Sequence, residues 1–177
     1  MDLRGVRAAE LGALPLVVVA RSFDAEYAEG YAPLVRLLWS LTGRWAVAEE
    51  IAQEAFVAAY RSWPTVSVLD RSDLWIRRVA VNRAVSVHRK LVSEAAALTR
   101  VRASHAVEPK FSGEDDQLWS AVQRLPRRQA AAVVLSTVEG LTAEEIGSVL
   151  GCSGETARTH MRRGLAKLRD LLGEEEE

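Results

Sequence analysis

TAEEIGSVLGCSGETARTHMRRGLAKLRDLL, residues Thr142 to Leu172, is the stretch whose reading decides the fold. Thr142 and Glu145 are spaced as a capping box, in which each side chain takes a hydrogen bond from the other residue's backbone N–H. Ile146, Val149 and Leu150 follow at helical spacing and predict one buried face. Gly151 suits the left-handed position that closes a helix. Ser153 can cap the next helix, and Glu155 lies near its positive N-terminal end. In that second helix Ala157, Met161, Leu165, Leu168 and Leu172 predict an inward stripe. Glu155, Thr156, Arg158, Thr159, Arg162 and Arg163 are left outside. A helix–turn–helix has this layout: one helix braced on a core, the next presenting short polar and arginine side chains to a major groove. Arginine fits that role because its planar fork reads guanine edges and holds phosphates. An ordinary pair of antiparallel helices with a solvated arginine face would produce the same pattern.

Immediately upstream, LWSAVQRL and RRQAAAVVLSTVEGL flank Pro126 and predict two further helices. Leu118, Val122 and Leu125 form one apolar stripe, and Ala130, Val133, Val134 and Val138 form another. A compact helical unit is therefore expected from Gln117 to residue 173. Residues 92–116 lose hydrophobic periodicity beyond an Ala-rich start, and hold Pro109, Gly113 and the acidic run Glu114–Asp115–Asp116. They read as a flexible linker, helical at its beginning.

A second unit is expected over residues 23–91. From Asp24, Tyr27, Tyr31, Leu34, Leu37, Leu38 and Leu41 are spaced to bury one side of a helix, with Pro33 at a first-turn position or a break. After Gly43, Val47, Ile51, Ala55, Ala58 and Ala59 line a second apolar face. Glu49, Glu50, Gln53 and Glu54 lie on or near the opposite side with Phe56 partly free. Such an acidic stripe is either a solvated face or a docking surface for a basic partner helix. Pro64 ends this helix, and Thr65 to Asp73 reads as a loop. The helix that begins near Asp73 turns Trp75, Ile76, Val79, Ala80 and Val87 inward. Its flank carries Arg77, Arg78, Asn82, Arg83, Arg89 and Lys90, residue types that hold a nucleic-acid backbone while an amide reads a base edge. A generic solvated basic helix is the competing reading.

The net charge of −1 alone argues against a polyanion partner, but its distribution reverses the inference. Residues 61–90 carry a local net charge of +5 and residues 118–173 one of +3, whereas residues 1–60, 91–117 and the four terminal glutamates are acidic. Two basic blocks between acidic segments predict two nucleic-acid surfaces. Cys152 is the single cysteine and the three histidines are scattered, so neither a disulfide framework nor a metal site is expected. The apolar run Leu11 to Ala20 is too short to span a bilayer. No strand pattern, phosphate-binding loop or hydrolase motif is present, and an all-α fold is expected. Residues 1–22 give no clear periodicity.

Two helical units, each with a basic helix, separated by an acidic linker, resemble bacterial RNA polymerase sigma factors of the sigma-70 superfamily, extracytoplasmic-function (ECF) type. AEEIAQEAF, Ala48 to Phe56, resembles the stretch with which that family binds core RNA polymerase. DLWIRRVAVNRAVSVHRK, Asp73 to Lys90, resembles its −10-element helix. Leu125 to Leu172 resembles its −35-binding helix–turn–helix. Ser86 stands where the family usually carries an acidic residue, Glu50 where Asp is usual, and Ala52 where a larger aliphatic is common. Gly154 and Glu155 are less typical at the start of a recognition helix.

The resemblance implies that Glu49, Glu50, Gln53, Glu54 and Phe56 bind core polymerase. It assigns Arg77, Arg78, Asn82, Arg83, Arg89 and Lys90 to the −10 element, and Ser153, Glu155, Thr156, Arg158, Thr159, Arg162 and Arg163 to the −35 element. Core RNA polymerase, promoter DNA and an anti-sigma factor are the implied partners. The implied location is the cytoplasm, with sequestration at the membrane through the anti-sigma factor. No cofactor and no covalent chemistry are expected. A stand-alone operator-binding regulator would explain residues 117–172 equally well, but not the basic helix that follows an acidic docking helix. An enzyme using Glu49, Glu50 and Glu54 would need a matching ligand set on a second helix.

Overall fold

The computed structural model describes residues 21–97 and 113–173, with side chains outside the description at 88–97 and 113–116. Among the described residues every regular element is helical. They are α1 (Phe23–Thr42), α2 (Trp45–Arg61), α3 (Trp63–Val66), α4 (Ser72–Ala97), α5 (Gly113–Arg124), α6 (Arg127–Thr137), α7 (Ala143–Leu150) and α8 (Gly154–Gly173). The central part of the expected linker, the first twenty residues and the glutamate tail lie outside the described residues.

Helix α1 starts where the Ser22 hydroxyl accepts from the Ala25 N–H, and ends at Gly43 in the left-handed conformation. Pro33 lies inside this helix without dividing it. Leu34, Leu37, Leu38 and Leu41 are buried as their spacing requires, whereas Tyr27 is exposed. In α2 the buried set is Ala48, Ile51, Ala52, Ala55, Phe56 and Ala59, a regular three-and-four alternation. This corrects the placement of Phe56: it is only 3 % exposed. Its ring packs edge-on against Phe23 and Tyr27, with centroids 6.3 and 5.0 Å away. The expected loop after Pro64 is also corrected, because Trp63–Val66 forms a short helix with Pro64 in its first turn.

Helix α4 is sandwiched. It packs on α1 and α2 on one side and on α7 and α6 on the other. Its buried arc is therefore wider than one stripe, and takes in Leu74, Val81 and Ala84 besides Ile76 and Ala80. Trp75, Val79 and Val87 are only half-buried at its margins.

The second unit begins four residues earlier than expected, because α5 starts at Gly113. In α8 the buried positions are Ala157, Gly164, Leu168 and Leu171, and Leu165 is 40 % exposed. Ala157 and Leu168 are buried and Met161 and Leu172 half-buried as expected, while Gly164 takes the place expected of Leu165 because it is the crossing point with α6. A β-carbon there would lie 2.7 Å from Val133 Cγ2 and 3.1 Å from the Gln129 carbonyl oxygen. Val138, expected inside, is 61 % exposed beyond the end of α6.

The two units also pack on each other, and their buried residues form one continuous core. Trp39 of α1 meets Trp119 of α5 edge-on at 5.7 Å. Arg127 of α6 donates to the Leu41 carbonyl at 2.6 Å. Burial holds that guanidinium below its ordinary pKa.

Candidate nucleic-acid interfaces

The C-terminal surface is built on α7 as a brace. The Thr142 hydroxyl accepts from the Glu145 N–H, and the Glu145 carboxylate accepts from the Thr142 N–H at 2.8 Å, so the capping box is closed. The Thr142 N–H first, then the Thr142 hydroxyl, which also donates to that carboxylate at 2.8 Å, hold the Glu145 carboxyl below its usual range against an opposing effect of burial, and Arg71 adds to them. Gly151 takes the left-handed turn at φ 66°. Gly147 lets the turn fold back on α7, because a β-carbon there would lie 2.7 Å from the Cys152 carbonyl oxygen.

Helix α8 then leaves this turn with the Ser153 hydroxyl accepting from the Thr156 N–H at 3.2 Å. Ser153, Glu155, Thr156, Arg158, Arg162 and Arg163 are exposed, and Thr159 is half-buried with its hydroxyl donating to the Glu155 carbonyl. From Glu155 to Arg163 these positions share the face opposite Ala157 and Gly164, so the structure brings the whole C-terminal set together. Arg158 is aimed by Glu144 at 2.7 Å, with Glu155 at 3.5 Å. Both pairs are exposed and so contribute little to stability.

His160 lies on the side of α8 that meets α6. Burial first, then the charges of Arg128 and Arg163, push its pKa down. Its buried Nδ1 has no hydrogen-bond partner among the described residues.

The α4 set is arranged differently. Arg77 is 16 % exposed and donates to Asp73 at 3.0 Å and to Glu139 at 2.7 Å. Arg78 reaches the Ser148 carbonyl at 3.4 Å. Asn82 is exposed, and its backbone carbonyl accepts from the Ser86 hydroxyl at 2.9 Å. Arg83 forms a two-pronged pair with Glu54 at 2.7 and 3.2 Å, and this hydrogen bond raises its pKa. A residue assigned to polymerase and one assigned to DNA are thus partners. Arg89 and Lys90 belong to α4, but their side chains lie outside the described ones.

On α2, Glu50, Gln53 and Glu54 are exposed and Glu49 is half-buried, so the acidic stripe is real. It continues into Val57 and Tyr60, which the sequence reading missed; Tyr60 is 66 % exposed. Their three-residue spacing from Glu54 was the available signal. A cleft of about 510 Å³ lies between the start of α1 and the α3–α4 turn, lined by Arg21, Glu26, Glu29 and residues 67–73. Glu26, also missed, is only 3 % exposed, and its carboxylate accepts from the Ser72 hydroxyl at 2.9 Å and from Arg21. Its sequence context resembles an ordinary solvated first turn.

Residues 27–93 match the family model of sigma-70 region 2, and residues 115–168 match that of sigma-70 region 4. The RNA polymerase sigma factor CarQ of Myxococcus xanthus is 36 % identical over 133 residues, covering 73 % of this chain and 76 % of that protein. The chain belongs to the sigma-70 family. Within that family it is an ECF-type sigma factor, and its function lies in transcription initiation. The ECF sigma factor SigE of Mycolicibacterium smegmatis is 32 % identical over 150 residues, covering 77 % of this chain; the match spans 56 % of that longer relative. Among solved structures, the sigma factor RpoE, co-crystallised with the anti-sigma factor NepR from Bartonella quintana, shares the fold. Its TM-score is 0.72 at 21 % identity, over 85 % of this chain and 96 % of the other. Helices α1–α4 are thus the sigma factor's region 2 and α5–α8 its region 4. Among the described residues no helix is long and apolar enough to cross a membrane.

Proposed function

We propose a division of labour for this sigma factor in which three surfaces act in sequence. The exposed stripe of α2, Glu50, Gln53 and Glu54 with Glu49 at its margin, docks on a basic coiled coil of core RNA polymerase. Val57 and Tyr60 add apolar contact beside it. Phe56 supports this surface from beneath, through its packing on Phe23 and Tyr27. The α8 face of Ser153, Glu155, Thr156, Arg158, Thr159, Arg162 and Arg163 engages the −35 duplex. Helix α4, with Arg77, Arg78, Asn82, Arg83, Arg89 and Lys90, holds the −10 element, and the cleft beside the α3–α4 turn receives a base drawn out of the stack. Extruding a base costs a few kcal/mol, which a shaped pocket with hydrogen-bonding groups must offset.

In this reading helices α1–α4 and α5–α8 are the functional units, the residues between them are the linker, and the segments before α1 and after α8 are appendages. The chain works in the cytoplasm without a cofactor or covalent chemistry of its own, and an anti-sigma factor covers its binding surfaces until a signal releases it. The observation that carries the reading is the α8 face. Its polar and basic residues are exposed together on a helix braced by a closed capping box.

Alanine at Asn82 and at Arg158, each assayed as holoenzyme, separates the surfaces. Arg158→Ala is expected to weaken promoter binding by about 1–3 kcal/mol, as loss of a two-pronged base contact does. Asn82→Ala should leave duplex binding in place and reduce permanganate reactivity of unpaired −10 thymines. Unchanged promoter occupancy and melting in both variants would contradict the division.

A further inference from the structure

Glu26 is set into the wall of the cleft beside the α3–α4 turn, and only one of its carboxylate oxygens is served. It belongs to the first turn of α1, where acids are ordinarily solvated, yet it is only 3 % exposed. Its Oε2 accepts from the Ser72 hydroxyl at 2.9 Å and from Arg21 at 3.3 Å. Among the described residues no group donates to Oε1. The cleft wall beside Oε1 is Gly30, where even a β-carbon would stand 4.0 Å away. A carboxylate taken out of water is costly until its acceptor positions are filled, so Oε1 is an acceptor held ready at the cleft. The cleft volume of about 510 Å³ lies within the range of small-ligand sites, about 300–1,000 Å³. Val68 and Leu69 line it with exposed apolar side chains, suited to the faces of a flat ring.

Resting on the reading of this cleft as the seat of an extruded −10 base, we propose that Glu26 is a specificity-determining residue that selects a base bearing an exocyclic amine. An extruded base is read by hydrogen bonds to its Watson–Crick edge. Adenine, cytosine and guanine each present an amine N–H there, and a carboxylate accepts from it, as it does from the cytosine amine in a duplex groove. Thymine presents one ring N–H between two carbonyl oxygens, so its approach to Oε1 sets oxygen against oxygen. Thymine is the base that the cleft turns away. Ser72 and Arg21 fix this polarity, because both are donors and both hold Oε2. In a glutamine at this place the same two donors would hold the amide oxygen, and the amide nitrogen would take the position of Oε1. That atom would then donate, and thymine O4 would become a fitting partner.

The test uses holoenzyme assembled from the full chain and core RNA polymerase, with a pool of promoter fragments randomised across the −10 element. Bound fragments are sequenced for the parent and for Glu26→Gln. We expect one −10 position at which the parent depletes thymine about tenfold against the other three bases, as one good base contact discriminates. In E26Q thymine should recover to parity or beyond at that position alone. The relative counts of adenine, cytosine and guanine there show which amine fits best. Deoxyuridine at that position should be as poor as thymine. If it bound as well as cytosine, the methyl group would be what is rejected, and Glu26 would not be the reader. A 2-aminopurine at the same position reports by its fluorescence whether the base leaves the stack. A fluorescence rise with base frequencies alike in parent and E26Q would overturn the role of Glu26 and leave the cleft reading in place. No rise at any −10 position would remove the cleft reading and the proposal with it. If E26Q fails to fold, Glu26→Asp keeps the charge and draws the carboxylate back from the cleft. Thymine depletion should weaken there, and depletion at full parental strength would overturn the assignment.

Discussion

The two arginine-bearing helices of this sigma factor look alike in sequence and differ in the fold. Helix α8 turns Arg158, Arg162 and Arg163 to solvent, and the exposed Glu144 of α7 only aims one of them. Helix α4 places Arg77 between Asp73 and Glu139, both mostly buried, and ties Arg83 to Glu54. The pairs of Arg158 and Arg83 are exposed and easily exchanged, whereas Arg77 is committed to two carboxylates that are largely shielded from solvent. Carboxylate and phosphate both fit the guanidinium fork, so the surroundings of α4 help decide which one it holds.

That contrast can be broken most forcibly at the helix crossing that displays the α8 face. Gly164→Val places branched carbons where Val133 and the Gln129 carbonyl already sit. It should cost about 3 kcal/mol in urea unfolding, the upper end for overpacking. Unchanged stability would mean α8 does not cross α6 at Gly164. Next in size, Arg77→Ala leaves Glu139 and Asp73 short of a partner in a half-buried site. It should lose about 2 kcal/mol, while Arg158→Ala should lose no more than about 0.5 kcal/mol. Equal losses would erase the distinction between committed and displayed arginines. Thr142→Ala removes one arm of the capping box and should cost about 1 kcal/mol, seen as faster amide exchange across α7. The smallest effect is with pH. His160 has a folded pKa below its unfolded value of about 6.5, so the unfolded chain binds the extra proton first. Its contribution is present above about pH 6.5 and is lost as pH falls through the folded value. His160→Gln should flatten that slope, and an unchanged slope would place its origin elsewhere.

Much of this was legible in the sequence. The capping box, Gly151 and the leucines of α1 act through local geometry, and the structure has them where their spacing puts them. Errors arose where a second surface intervened. Phe56 looked partly free on a single-helix view, and it is buried because Phe23 and Tyr27 come from α1 to cover it. In the α8 stripe Leu165 was wrongly included and Gly164 missed, because glycine has no apolar side chain to announce a tight crossing. Val81 was missed because α4 is buried on two sides. The candidate site followed the same rule. The α8 set could be read from helical spacing alone, but the commitment of Arg77 to Glu139 joins residues 62 apart in sequence, which no local pattern reports.

The most direct measurement is run-off transcription with purified core RNA polymerase on a pool of genomic promoters, comparing the parent chain with Arg158→Ala. New start sites that depend on the parent chain, share −10 and −35 sequences, and weaken with the −35 surface variant are the predicted result. No transcripts, together with no association with core polymerase at low salt, would contradict the account.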